Sequence, residues 1–169
     1  MEGLLFYGLA AIMVMSSCMV ILRKNPVHSA LFLVLTFFCL AGLYLLLNAQ
    51  FIAAIQVIVY AGAIMVLFIF VIMLLNLDTE ITSKSGHGVQ RFWAMVITIV
   101  LAVSFVSLMT ARVFTGEKGN FSPEAVNAVG NSEVIGKLLF TEFLLPFEIT
   151  SILLLAAILG AIILAKKKL

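Results

Sequence analysis

The sequence predicts an all-α, polytopic membrane protein with five transmembrane helices. Three observations lead there. Of 169 residues, 64% are hydrophobic and only 11% are charged, against about 25% charged in a typical soluble domain. The mean hydropathy is +1.25. Long apolar runs recur five times, at residues 4–22, 27–47, 51–75, 92–113 and 143–165. Each run is near or above the roughly 20 residues that carry a helix across about 30 Å of hydrocarbon. Eighteen charged residues cannot solvate a soluble domain of this composition. A soluble enzyme, a nucleic-acid binder and a disordered chain are therefore excluded as readings.

The runs must be helices, because backbone polar groups cannot stay unpaired in lipid and no period-2 alternation suggests a barrel. The first run begins almost at Met1, with Glu2 rather than a basic patch, so it does not read as a cleavable signal. The second run opens on Asn25-Pro26. Asn is a good N-cap, and Pro fits the first helical position, where its missing N–H costs nothing. Residues 23–26 join the first two runs, and Asn48-Ala49-Gln50 joins the second and third. Links this short force antiparallel neighbours. The third and fourth runs are joined by a polar stretch, 76–90. The loop 115–142 before the fifth run is the longest, and a short surface helix is expected after Pro123. Neither an internal repeat nor a second domain is visible, so residues 1–169 read as one integral membrane domain.

Charge sets the expected orientation. One side of a five-span chain receives Arg23, Lys24, Lys84, Arg91, Lys166, Lys167 and Lys168, and the other Arg112, Lys118 and Lys137. Seven against three places the first set in the cytoplasm. The N-terminus is then periplasmic and the C-terminus cytoplasmic.

Few polar residues fall within the runs. Ser16 and Ser17 lie in the first, Thr36 in the second, Gln56 and Tyr60 in the third. Thr98, Ser104 and Ser107 lie in the fourth, and Glu148, Thr150 and Ser151 open the fifth. No Asp, Lys or Arg lies in a run interior, which argues against an autonomous ion or proton carrier. Gln56 and Tyr60 are four apart, so on an α-helix they share a face. The pair reads either as helix–helix glue or as part of a proton or water path. Ala61-Gly62-Ala63 follows, and it reads either as a close-packing site or as a helix interruption such as a π-bulge. Glu148, two residues after Pro146, reads as a first-turn carboxylate favoured by the helix dipole or as a contact to a partner subunit. Cys18 and Cys39 sit in apolar runs without ligand spacing and read as buried, inert thiols. No phosphate loop, catalytic triad or metal-ligand set is present. The chain reads as a structural or conduit subunit.

Three stretches carry a resemblance. They are Asn25-Pro26-Val27-His28-Ser29-Ala30-Leu31, the run from Gln56 through Val59-Tyr60-Ala61-Gly62-Ala63-Ile64 to Phe68, and Pro146-Phe147-Glu148 leading into the last apolar run and a Lys tail. Together they resemble the subunit J family of bacterial NADH-quinone oxidoreductase, respiratory complex I, whose mitochondrial counterpart is chain 6. The resemblance covers residues 4–75 and the last run, and says little about 115–142. It implies a multi-pass subunit of the bacterial cytoplasmic (inner) membrane, without catalytic, cofactor-binding or metal residues of its own. FMN, iron–sulfur clusters and quinone are then expected in partner subunits. The implied partners are the quinone-site and antiporter-like membrane subunits, in the lipid bilayer, with no nucleic acid. It also implies a π-bulge near Tyr60, Ala61, Gly62, Ala63, Ile64 and Met65, acting as a hinge that opens a water path for protons. Some members carry Glu where this chain has Gln56, so an essential carboxylate would come from a partner. The alternative reading is a small membrane subunit of a multi-subunit cation/proton antiporter.

Overall fold

The computed structural model describes residues 1–75, 88–110, 126 and 128–166, and every element among them is helical. Helix α1 spans Glu2–Leu22 and α2 spans Pro26–Leu46. The turn between them follows from Asn25, whose Oδ1 accepts hydrogen bonds from the Val27 N–H at 2.9 Å and the His28 N–H at 3.3 Å. That satisfies two of the four free donors at the start of α2, and Pro26 removes a third.

The α1–α2 hairpin is tied at two depths. Ser16 Oγ lies 3.0 Å from Thr36 Oγ1. Either hydroxyl can donate to the other, and each also reaches a carbonyl of its own helix, Ser16 to Ile12 at 2.8 Å and Thr36 to Phe32 at 2.9 Å. Ser16 is only 3% exposed. Nearer the turn, the Ser29 hydroxyl donates to the Val20 carbonyl. Close approach is set by Gly42: a Cβ there would sit 3.0 Å from Leu9 Cδ1. In lipid, where apolar burial drives little, such small-residue contacts and interhelical hydrogen bonds hold helices together.

Helix α2 ends in a left-handed cap. Asn48 has φ 58°, its N–H bonds the Leu45 carbonyl at 3.0 Å, and the Ala49 N–H bonds Tyr44 at 2.9 Å. That is a Schellman arrangement, with Asn in the place glycine most often takes. The chain reverses and enters the third span, Gln50–Leu74. This span is three elements in one continuous rod: α3 (Gln50–Ile55), a π-helical segment (Gln56–Ile64) and α4 (Met65–Leu74).

Beyond the third span, α5 covers Gly88–Thr110, α6 covers Asn131–Phe140 and α7 covers Leu144–Ala165. A short surface helix was expected after Pro123, and the described residues there, 126, 128 and 129, are helical, with the Gly130 N–H bonding the Val126 carbonyl at 2.9 Å; α6 follows directly after Gly130. Asn131 Nδ2 donates to the Asn48 carbonyl at 3.2 Å, which docks α6 beside the entry to α3. Phe140 and Phe147 meet edge to face at 5.1 Å, joining α6 to α7. Among the described residues four helices are long and apolar enough to cross a membrane: α1, α2, the third span and α7. In α5 the apolar stretch Phe92–Leu108 is shorter, and residues 111–113 of the expected fourth run lie outside the described residues.

Packing is uneven. Every buried residue among the described ones belongs to the first three spans: Ser16, Ala30, Cys39, Ala41, Ala53, Gln56, Ala61 and Met65. Among the described residues α5 touches no other element, and α7 touches only α6. Cys39 is buried as expected, but Cys18 is exposed on α1. An apolar neighbourhood in sequence marks lipid-facing and core-facing positions alike, so it could not distinguish the two thiols.

Candidate functional site in the third span

The π-helical segment Gln56–Ile64 carries the chain's only buried amide side chain among the described residues. Each N–H in such a segment reaches the carbonyl five residues back rather than four. The exit shows this directly, where the Met65 N–H donates to the Tyr60 carbonyl. The resemblance implies a π-bulge near 60–65; the π-helical segment includes residues 60–64 but starts earlier, at Gln56, and α geometry resumes at Met65.

Why the helix widens here is visible in which residues it buries. Ala53, Gln56, Ala61 and Met65 are 4%, 6%, 6% and 3% exposed. Their spacings are three, five and four. Three and four are α-helical steps, but five is not. An α-helix would carry Ala61 well away from Gln56, whereas a π turn stacks the two. Small Ala53 and Ala61 let the span lie close against α2, whose own buried residues Ala30, Cys39 and Ala41 are also small.

This geometry corrects the shared face expected for Gln56 and Tyr60. Gln56 is buried, but Tyr60 is 46% exposed and packs its ring edge to face against Phe37 of α2, with centroids 5.8 Å apart. The i, i+4 rule belongs to the α-helix; in this π-helical segment Gln56 shares burial with Ala61, while Tyr60 is half-exposed at the edge of the α2 contact. Gly62 is half-buried, and a Cβ on it would lie 3.2 Å from the Val57 carbonyl oxygen, its π-type acceptor. Ala63 and Ile64 are exposed on the outer face, while Met65 returns to the buried one.

The first-turn placement of Glu148 is also corrected. Helix α7 begins at Leu144, with Pro146 as its third residue, so Glu148 is the fifth. The free N–H groups belong to the first four residues, and no side chain caps this helix. The Glu148 side chain is exposed, and its backbone carbonyl accepts from the Ser151 hydroxyl at 2.7 Å. Pro is tolerated anywhere in a first turn, so Pro146 could not fix the start to the residue. Sequence reasoning missed two further features. Phe37 as the neighbour of Tyr60 left no signal, and the Ser16–Thr36 bond was visible only as two polar residues in adjoining runs.

The chain is similar to known proteins over most of its length. The family described as NADH-ubiquinone/plastoquinone oxidoreductase chain 6 matches residues 16–164. The chain is 41% identical to NAD(P)H-quinone oxidoreductase subunit 6, organellar chromatophore, of Paulinella chromatophora, over 97% of this chain and 78% of that protein. It is 36% identical to NADH-quinone oxidoreductase subunit J of Rickettsia typhi, over 96% and 80%. It is 35% identical to subunit J of Rhodobacter capsulatus, over 94% and 79%. These relatives give the antiporter alternative no support. With its family match running from the first span into the last helix, the chain belongs to the NADH-ubiquinone/plastoquinone oxidoreductase chain 6 family, which includes the bacterial J subunits.

Proposed function

We propose that this chain is a membrane-arm subunit of a proton-pumping NADH:quinone oxidoreductase, where it couples quinone chemistry to proton movement without an active site of its own. The observation that carries this is the π-helical Gln56–Ile64 segment set between two α-helical stretches of one span. Converting it to α geometry would rotate α4 by about 100° relative to α3, the angle one residue occupies. Tyr60 would swing toward the buried face and Ala61 away from it. A polar group would replace a methyl on the stripe beside Gln56, and a wetted path would replace a dry one. Gly62 has no Cβ and tolerates either geometry. Gln56 does not ionise, so it relays or gates; a proton-storing carboxylate comes from a partner subunit.

In the same reading the chain spans the inner membrane five times, with its N-terminus periplasmic, between the quinone-site and antiporter-like subunits. Glu148, exposed near the start of α7, contacts one of those partners. In this reading flavin and iron–sulfur clusters belong to partner subunits.

The test is Gly62→Leu in the assembled complex. Membrane vesicles report NADH oxidation and pH-gradient formation together. The reading expects both to fall while assembly persists, and Tyr60→Phe to give a milder loss. Wild-type rates for Gly62→Leu would leave Gly62 as ordinary packing.

A further inference from the structure

At the turn between α1 and α2, Arg23, His28, Leu31, Phe32 and Leu35 line an open groove of about 390 Å³. Its two ends differ in chemistry. Arg23 is the C-cap of α1, and its guanidinium carbon sits 5.4 Å from the centre of the Phe32 ring. That is within cation–π range. The contact holds the guanidinium at the mouth of the groove. Lys24 and His28 are exposed beside it. No acid occurs in the sequence between Glu2 and Asp78. Glu2 is at the far end of α1, about 30 Å away at 1.5 Å per residue; Asp78 and Glu80 lie outside the described residues.

The other end is apolar. Leu31 and Leu35 are one helical turn apart on α2 and are 52% and 42% exposed. They lie about 8 and 14 Å along the helix from Pro26, which is hydrocarbon depth for a span that starts at the headgroups. A free anion would use Arg23 and leave the leucine flank empty. A simple acyl chain would use the leucines and leave three basic groups unmatched. A molecule with an anionic head and an apolar tail, oriented as a bilayer orients it, satisfies both ends.

We propose that this groove is a binding site for an anionic phospholipid. Its phosphate lies between Arg23, Lys24 and His28, and one acyl chain runs over Phe32 toward Leu31 and Leu35. Basic pockets beside membrane helices recognise such headgroups, each Lys or Arg near the surface adding about fivefold in affinity. The inference is independent of the coupling role of the third span.

The test uses the assembled complex with a benzophenone side chain introduced at Leu35, in vesicles mixing phosphatidylglycerol with phosphatidylcholine. Photolysis and mass spectrometry of the modified peptide identify what occupies the groove. The site is expected to capture phosphatidylglycerol in preference to phosphatidylcholine. Arg23→Gln should lower that preference about fivefold, Arg23→Lys should keep most of it, and excess inorganic phosphate should not displace the lipid. Adducts that mirror the bulk lipid ratio would overturn the proposal. So would a preference indifferent to Arg23→Gln, displacement by phosphate, or a peptide of another subunit in place of lipid.

Discussion

Deleting Ile58 separates the packing role of the third span from its π geometry. Ile58 is 69% exposed, on the outer face of the π segment. At about 100° per residue, an α-helix would spread Ala53, Gln56, Ala61 and Met65 over roughly 180° of its surface. Half the circumference cannot face one neighbour. Removing one residue between Gln56 and Ala61 changes the spacings from three, five and four to three, four and four. The same four side chains then fall within roughly 80° of a regular α-helix. The deletion should therefore keep the buried stripe against α2 while removing any reason for the π turn.

The expected outcome is a complex that assembles on native gels but has lost coupled quinone reduction and pH-gradient formation. Two helix states that exchange in function lie within a few kcal/mol of each other. A bias of about 1.4 kcal/mol already shifts their ratio tenfold, and a register that cannot form the π turn shifts it further. Ile58→Ala, which trims the same side chain and keeps the register, should behave as wild type. Failure of the deletion chain to assemble would refute the spacing argument. Native pumping by an assembled deletion complex would refute the coupling role of the π segment.

Three other outcomes are expected. With the native cysteines replaced, a cysteine at Ser122 should label from the periplasm and one at Ser85 should not; the reverse pattern would invert the orientation derived from the basic residues. Ser16→Ala should lower the stability of the α1–α2 hairpin by about 0.6–2 kcal/mol. Thr36→Val added to Ser16→Ala should cost little more, because the two hydroxyls share one bond; thermal inactivation of the complex in a double-mutant cycle reads both. Removal of residues 143–165 should abolish assembly, and a normal complex on native gels would contradict this.

Helix positions were legible because lipid imposes one requirement on every span, a long apolar run. The start of α2 was legible to the residue because Asn25 and Pro26 act locally, on donors within one turn. The π segment was only half legible. Gly62 marked where irregular geometry is tolerated, but its beginning at Gln56 depends on which side chains α2 covers. That is a tertiary fact, and it also defeated the i, i+4 pairing of Gln56 with Tyr60. Ala53, Gln56, Ala61 and Met65 become a pattern only once burial is known, since other alanines and methionines, such as Ala11 and Met15, are exposed.

The small residues make the same point about what completes the fold. Gly42 and Gly160 look alike in sequence, each a glycine inside an apolar run. At Gly42 an added Cβ would meet the Leu9 side chain at 3.0 Å, so the chain itself fills the space. At Gly160, one turn after Ala156, an added Cβ would meet nothing within 4 Å. The small-xxx-small step on α7 is thus a close-packing surface that this chain leaves open, on a helix with no buried residue. A helix from another subunit is the partner for which such a step is suited. Gly160→Leu should therefore leave the α1–α2 hairpin and the third span intact and act only on assembly. Fewer assembled complexes are expected on native gels, with unchanged insertion of the chain itself into the membrane. Full assembly of the Gly160→Leu chain would mean that lipid alone covers this face of α7.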